Sequence, residues 1–479
     1  MKSMKFLNIL SAISVISFSS SAGTPTWLNI FTTENGKTRV VATPLDDIYE
    51  INFSKDDDNA DYYSTISVVC KNDETKAVSM DNVTDYSLGT NVPTIFINTK
   101  PEVEEISSKT EYLPATFSME CYGDYEDVDD VSVNIRGRGN STWSFSKKPY
   151  RLKFDKKISL CGLTKAKSFV LIANYVDGTL MKNAIAFKIG QLLEMPFTNH
   201  SIPVSVVLNG RYKGAYMLSE KIGINSGSVN IDEEKGILWE LDTHFDEDYK
   251  FHSQIYNLPV MVKDPDLLEV VTLQDDEDRE ALANELFHNW QTDFEKMEAA
   301  IKNGIPETEL DMDQAVNYIL ANVVVRNGEI GWPKSVYLFK ENISGSYKLG
   351  PLWDYDWAFD FIDYKSAPYN SVLLYPQNRT PGDLFFYNLT KTKIFKDKFE
   401  DRWKYFKEEL FPLLLDYIDT YAYQIRVSAL QNGERWPGTG PDDHGISSED
   451  FDNNVSTLKS WLINRVTYLD TAPNHGIYR

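Results

Sequence analysis

Cysteine and histidine are scarce. Three cysteines, Cys70, Cys121 and Cys161, stand among 479 residues. They allow at most one disulfide with one thiol left over, which excludes a small scaffold held by disulfides. Their spacing matches no zinc motif, and the six histidines show no metal-like spacing. The chemistry of the cysteines favours small buried hydrophobes. Positive charge is also short: 48 Lys and Arg stand against 71 Asp and Glu, a formal net charge of -23. That deficit argues against nucleic acid as the main partner, because a phosphate backbone needs a basic face. It equally disfavours docking on an anionic membrane. Beyond the N-terminus no stretch is apolar enough for a transmembrane helix. There is no internal repeat and no low-complexity linker.

What remains is a chain long enough for two or three domains. Its 42% hydrophobic and 25% charged residues are ordinary for a globular protein, and its 13% aromatics are high. The start reads MKSMKFLNILSAISVISFSSSAG. Lys2 and Lys5 precede an apolar run, Leu7 to Phe18, that is too short to span a bilayer, and small residues supply a cleavage site after Ala22. Residues 1–22 therefore read as a secretory signal peptide. No cysteine follows the run, which argues against a bacterial lipid anchor. The mature protein is expected to be exported or on the cell surface, with no membrane insertion.

Three regions follow. Residues 23–92 carry short alternating runs such as IYEINF and TISVV, broken by the acidic loop SKDDDNADYY, and read as a small β-rich module. From 93 to about 263 strands dominate. A helix is expected from Thr179 to Leu193, with Asp177 or Thr179 as its cap. A hairpin is expected about Asn209-Gly210, the favoured two-residue turn chemistry. From about Asp264 the pattern turns helical. One helix should end at Gly304, and a second should be capped by Asp311 and stopped by Gly328.

Two stretches carry chemistry. IRGRGNSTWSFSKKPYRLKF, Ile135 to Phe154, holds Arg136, Arg138, Lys147, Lys148, Arg151 and Lys153 and no acid. Val131, Val133 and Ile135 should share one strand face, as should Tyr150, Leu152 and Phe154, with the cations opposite. Glycines in the connecting loop permit close backbone approach, with N–H groups aimed at an oxyanion. A cradle for phosphate and a basic hairpin that neutralises an acidic neighbour are both open readings. Asn140-Ser141-Thr142 is a glycosylation acceptor in a eukaryotic secretory pathway, and a glycan there would block the cradle, so a bacterial source fits better. The second stretch, GPLWDYDWAFDF, Gly350 to Phe361, reads as a buried strand. Trp353, Tyr355, Trp357, Phe359 and Phe361 lie on one face, with Asp354, Asp356 and Asp360 on the other. Carboxylates two positions apart suit a hard divalent cation such as Mg²⁺. Upstream, Glu329 sits in a turn between a helix and the strand leading to those acids, a position suited to catalysis; an ordinary exposed loop acid is the other open reading.

Together with LIANYVDGTLMKNAIAF, VVLNGRYKGAYMLSEKI, GILWELD and NGEIGWPKSVYLFK, these stretches resemble, in their order, the spore-coat protein H (CotH) family of atypical secreted protein kinases. The resemblance covers about Pro93 to Phe361, more weakly the C-terminal helices. It implies an α+β, distantly protein-kinase-like fold of two lobes, about 93–225 and 226–479, holding ATP and a divalent cation. It implies that Lys148, Arg151 and Lys153 hold ATP phosphates with help from Arg138. Glu220 would lie near the lobe junction, and Asp354 would bind Mg²⁺ or another divalent cation, with Asp356 beside it. Glu329 stands where the family presents an aspartate. The implied activity is transfer of phosphate from ATP to Ser or Thr of an exported protein. The alternative is a non-catalytic surface protein that binds polymers or partner proteins.

Overall fold

The computed structural model describes residues 27–34, 37–55, 63–89, 91–122, 125–271, 276–359, 361–362, 365–366, 368–438 and 447–479. The expected signal peptide, most of the acidic loop and Asp360 lie outside them. The architecture mixes strand and helix, as an α+β chain should.

Two three-stranded antiparallel sheets open the chain. Strands β1 (Trp27–Glu34), β2 (Lys37–Pro44), β3 (Ile48–Ser54), β4 (Thr65–Cys70), β5 (Thr75–Ser79) and β6 (Val83–Gly89) are ordered β2-β1-β6 and β3-β4-β5. The alternation in TISVV is real: Ile66, Val68 and Cys70 are buried between half-buried neighbours. Ile66 and Val68 pack with Leu28, Ile30 and Val78 into a small core. The next residue along β1, Phe31, points the other way. With Val40 and Ala42 it joins the main core of the molecule, and the Arg426 guanidinium lies 4.1 Å from its ring centre.

The strands around the basic stretch close on themselves. β7 (Thr94–Thr99), β8 (Leu113–Glu120), β9 (Val128–Gly137), β10 (Tyr150–Ile158), β11 (Ala166–Ile172), β12 (Ile202–Leu208) and β13 (Arg211–Glu220) form a seven-stranded barrel ordered β10-β11-β13-β12-β7-β8-β9. Closure leaves no open edge. Every pairing is antiparallel except that of β7 with β12, where Thr94 lies opposite Ser205. Ile135, Leu152, Phe169, Leu171 and Leu218 fill the interior. Arg136 and Arg151 face each other across β9 and β10 and, by alternation, stand on the outside. The turn joining β12 to β13 has positive φ at both Asn209 and Gly210, a geometry that suits a two-residue hairpin.

Helix α1 (Lys182–Leu192) follows β11; it begins at Lys182 rather than Thr179, with Met181 in the cap position in place of Asp177 or Thr179. Asp177 is its anchor, accepting the N–H groups of Thr179, Met181 and Lys182 at 2.8, 2.8 and 2.9 Å. A second sheet is ordered β15-β16-β14-β17-β18: β14 (Ile237–Leu241), β15 (Lys250–His252), β16 (Pro259–Asp264), β17 (Val336–Lys340) and β18 (Lys348–Leu349). Around it pack α2 (Asp276–Asn303), α3 (Met312–Val325), α4 (Pro381–Thr390), α5 (Lys393–Tyr405), α6 (Phe411–Arg435) and α7 (Phe451–Thr471). The Asp311 carboxylate caps α3 through the Gln314 N–H at 3.0 Å. That helix does not run to Gly328. It stops at Arg326, whose left-handed φ of 55° breaks the spiral, and Gly328 begins a separate single turn.

Two further expectations are corrected. The stretch from Gly350 to Phe359 is not a strand but an irregular run of turns, with Asp354 and Phe359 at φ of 61° and 64°. Its backbone finds partners elsewhere: the Tyr355 N–H donates to Asn183 Oδ1 at 2.8 Å and the Phe359 N–H to the Val325 carbonyl. The clean split of aromatics and acids into two faces is therefore lost; Tyr355 and Asp356 are both buried. Nor are the Gly137 and Arg138 N–H groups aimed at an anion, since they donate to the Ser108 and Pro149 carbonyls at 2.8 and 3.2 Å. Gly137 is needed for space: a Cβ there would lie 2.1 Å from the Trp143 ring. The reading of the cysteines as small buried hydrophobes holds: Cys70, Cys121 and Cys161 are all buried free thiols.

Candidate active-site cleft

A cavity of about 560 Å³ separates the outer barrel wall from the second sheet and its loops, a size that takes a small-molecule ligand. The barrel contributes Arg136, Arg151, Val170 and Ile172, with Arg138 from the loop after β9 and Lys221 just past β13. The opposite side contributes Glu240, Asp242, His244, Glu329, Lys334, Asp354 and Asp356.

One end is acidic. Glu329 lies in the single turn after α3, where the Asn327 side chain accepts its N–H at 3.3 Å. Burial, then the Asp354 carboxylate, hold the Glu329 carboxyl well above the usual range, against the pull of Lys334, whose Nζ lies 3.6 Å away. Burial also raises Asp354, opposed by the Arg138 guanidinium and reinforced by Asp242. Asp356 is raised by burial and by Asp354, opposed by Asn183. Asn183, on α1, grips this segment twice: Nδ2 donates to Asp356 Oδ1 at 2.6 Å and Oδ1 accepts the Tyr355 N–H. Asn183 also donates to Asn174 Oδ1 at 3.1 Å. Asp242 accepts from the His244 and Ser335 N–H groups at 2.8 and 3.0 Å. Asp354 raises both Glu329 and Asp356, and Asp356 adds to the rise at Glu329, so added positive charge is favourable here.

The cations divide. Arg138 and Arg151 line the cavity, and Arg138 lies 5.5 Å from the Trp353 ring centre. Lys148 does not line it; Nζ donates to the Trp143 carbonyl at 2.7 Å and sits over that residue's indole. Lys153 turns outward over Tyr112. Lys147 is fully buried, bonded to the Ala173 and Ala215 carbonyls. Glu220 also points away, pairing with His200 Nδ1 at 2.6 Å. Local alternation separates these outcomes only partly. It sends Arg151 and Lys153 to the same side of β10, but only the end nearer the loop borders the cavity.

A family model for the CotH kinase protein matches residues 135–469. The chain belongs to this family. No curated protein matches it. The CotH match begins inside β9 and ends inside α7, so it takes in every element named above that borders the cavity. Among the described residues no helix is long and apolar enough to cross a membrane.

A CotH kinase implies a divalent cation, and the donor set can be tested for it. Among the described residues no group of three or more His, Cys, Asp or Glu side chains is arranged to hold a metal. That does not disqualify the acidic end. Mg²⁺ is commonly held by one or two carboxylates together with substrate phosphates and water, and Asp354 with Asp356 meets that need. The repulsion by which Asp354 raises Asp356 is what a cation would relieve.

Several cleft residues had not stood out in the sequence: Asn183, Lys221, Asp242, His244 and Lys334. Four of them lie within stretches that carry the CotH resemblance, MKNAIAF, SEKI, WELD and WPKS. A lone Asn or Lys in such a stretch gives no sign of its own.

Proposed function

We propose that the chain is an ATP-dependent phosphotransferase that phosphorylates Ser or Thr of an exported protein, with the barrel and the helical half serving as two kinase-like lobes. The observation that carries this reading is the meeting of Glu329, Asp354 and Asp356 with Arg138 and Arg151 in one cavity. Arg138 and Arg151 bind the phosphates. Asp354 and Asp356 hold the divalent cation, which supplies charge neutralisation when bound. In the transfer, the acceptor hydroxyl oxygen bonds to the γ-phosphorus as the bond from that phosphorus to the bridging oxygen breaks, and ADP departs with the electron pair. Glu329 takes the hydroxyl proton, a task suited to a carboxylate with a raised affinity for protons. Lys334 steadies the Glu329 side chain.

The test is transfer of labelled phosphate from ATP, with Mg²⁺ present, to the protein itself or to a generic acceptor. Glu329→Gln should lower transfer about 10²–10⁴-fold while ATP still binds, and Glu329→Asp should retain part of the activity. Asp354→Asn should abolish metal-dependent nucleotide binding in a folded protein. A wild type that binds ATP and Mg²⁺ but transfers nothing would replace this reading with a non-catalytic binding role. Transfer by Glu329→Gln at the wild-type rate would remove Glu329 from the chemistry.

A further inference from the structure

A histidine and an aspartate just past β14 meet at the cleft and have no part in the chemistry assigned so far. Asp242 and His244 both line the cavity. His244 Nδ1 lies 2.8 Å from Asp242 Oδ1. An ionised carboxylate only accepts, so the neutral ring carries its hydrogen on Nδ1 and its lone pair on Nε2. Asp242 is itself held in place, since Oδ1 also accepts the His244 N–H and Oδ2 the Ser335 N–H. Its side chain is 7% exposed and that of His244 39% exposed, which separates a fixed orienting group from an accessible ring. Nε2 has no hydrogen-bond partner among the described residues. An Asx turn accounts for the backbone bond at this corner, but it does not require an imidazole there, nor one that faces the cavity.

Other histidines set the contrast. His200 has the same kind of pairing, Nδ1 to Glu220 at 2.6 Å, but does not line the cavity. His475 uses both nitrogens, Nδ1 with the Leu469 carbonyl and Nε2 with Glu400, each at 3.0 Å. His244 joins a carboxylate-held Nδ1, an unengaged Nε2 and a place in the cleft. Burial raises the Asp354 carboxyl, and Arg138, Lys334 and His244 all oppose it. The imidazole therefore stands within electrostatic reach of the aspartate assigned to the cation, at the end of the cleft where a phosphoryl group would be transferred.

We propose that His244 Nε2 is a phosphoryl acceptor, a modification site that Asp242 orients. The proposal rests on the phosphotransfer reading for its donor, ATP, and adds a nitrogen acceptor within the chain to the hydroxyl acceptor outside it. The Nε2 lone pair bonds to the γ-phosphorus as the bond from that phosphorus to the bridging oxygen breaks, and ADP leaves with that electron pair. The ring becomes a cation that keeps its hydrogen on Nδ1, where the Asp242 carboxylate balances the charge.

The experiment labels the full chain with γ-labelled ATP and Mg²⁺ and, separately, with potassium phosphoramidate, which phosphorylates imidazoles without a nucleotide or a metal. Phosphate on nitrogen survives alkali and is lost in acid, the reverse of phosphate on Ser or Thr, and peptide mapping locates it. Phosphoramidate should label His244 and His200, whereas ATP should label His244 and leave His200 bare. His244→Asn should lose the acid-labile label from ATP, and His200→Asn should keep it. Asp242→Asn should slow labelling of His244 by either reagent at least about 10-fold, because an amide can donate to Nδ1 and move the ring hydrogen to Nε2. Acid-stable label alone from ATP would overturn the proposal and leave the phosphotransfer reading standing. Label on His244 without any on a hydroxyl acceptor would support the proposal and remove Ser or Thr from that reading. No label from ATP, with His244 still labelled by phosphoramidate, would overturn both. Phosphoramidate labelling of His200 but not of His244 would show Nε2 to be inaccessible and end the proposal whatever ATP does.

Discussion

Replacing Asn183 by leucine tests how the acidic end is built. Leucine keeps the branched shape of asparagine but removes three hydrogen bonds: the donations to Asp356 at 2.6 Å and to Asn174 at 3.1 Å, and the acceptance from the Tyr355 N–H at 2.8 Å. Asn174, Asn183 and Asp356 are buried although they border the cleft, so water from the cleft replaces the lost partner only in part. A bond to a charged acceptor contributes about 1.5–3 kcal/mol and each neutral one about 1 kcal/mol. Together they place the cost of Asn183→Leu at about 3–5 kcal/mol, a large share of the roughly 5–15 kcal/mol that holds a typical domain folded. Urea denaturation of the full chain should show the midpoint falling with an unchanged slope. Affinity for Mg²⁺ with ATP should fall as well, since Asp356 loses the group that orients it. A midpoint within about 0.5 kcal/mol of wild type would refute the reasoning: it would mean that the turn carrying both aspartates holds its shape without α1.

Other outcomes follow from different parts of the molecule. Phe31→Ala should destabilise by about 3–4 kcal/mol, because that ring is buried in the main core and faces Arg426; a melting curve in which only a minor early transition moved would show instead that the N-terminal sheets unfold on their own. Glu298, buried in α2 and accepting from the Ser253 hydroxyl and the Ile255 N–H, has its carboxyl raised by burial from 4.5 to about 7. The folded state then holds a proton that the unfolded chain has released. The associated stability is present below about pH 4.5 and is lost as pH rises through 7, about 3 kcal/mol in all at 1.36 kcal/mol per pKa unit. Glu298→Gln should flatten that part of the pH–stability curve, and an unchanged slope between pH 5 and 8 would contradict the assignment.

How much could be read from the sequence depended on the range of the interactions involved. The helix cap at Asp311 and the Asn209-Gly210 turn were legible because side chain and backbone partner lie within a few residues. The inward faces of β9 and β10 were legible because a strand alternates. The shape of the WDYD stretch was not, because its backbone partners, Asn183 and Val325, lie far off in sequence and nothing local announces them. The fates of Lys147, Arg151 and Lys153 were hidden for the same reason, and that of Lys148 although its partner Trp143 lies only five residues back. Four neighbouring cations of similar character end up in a buried pocket, on a tryptophan, in the cleft and over a tyrosine. Those destinations are set by what the closed barrel presents around them. Glu220 illustrates the point again: its partner His200 lies 20 residues back, across the mouth of a hairpin.

The parallel pairing of β7 with β12 also has a consequence in time. Thr94 meets Ser205, so the first barrel strand cannot find its neighbour until more than a hundred further residues have left the ribosome. At a synthesis rate of about 5–20 residues per second, β7 and β8 wait on the order of 5–20 s with one edge open. Contacts this distant in sequence make folding slow, and an open strand edge invites pairing with other chains. A protein built this way benefits from a holdase, or from delivery in an unfolded state, before the seventh strand closes the ring.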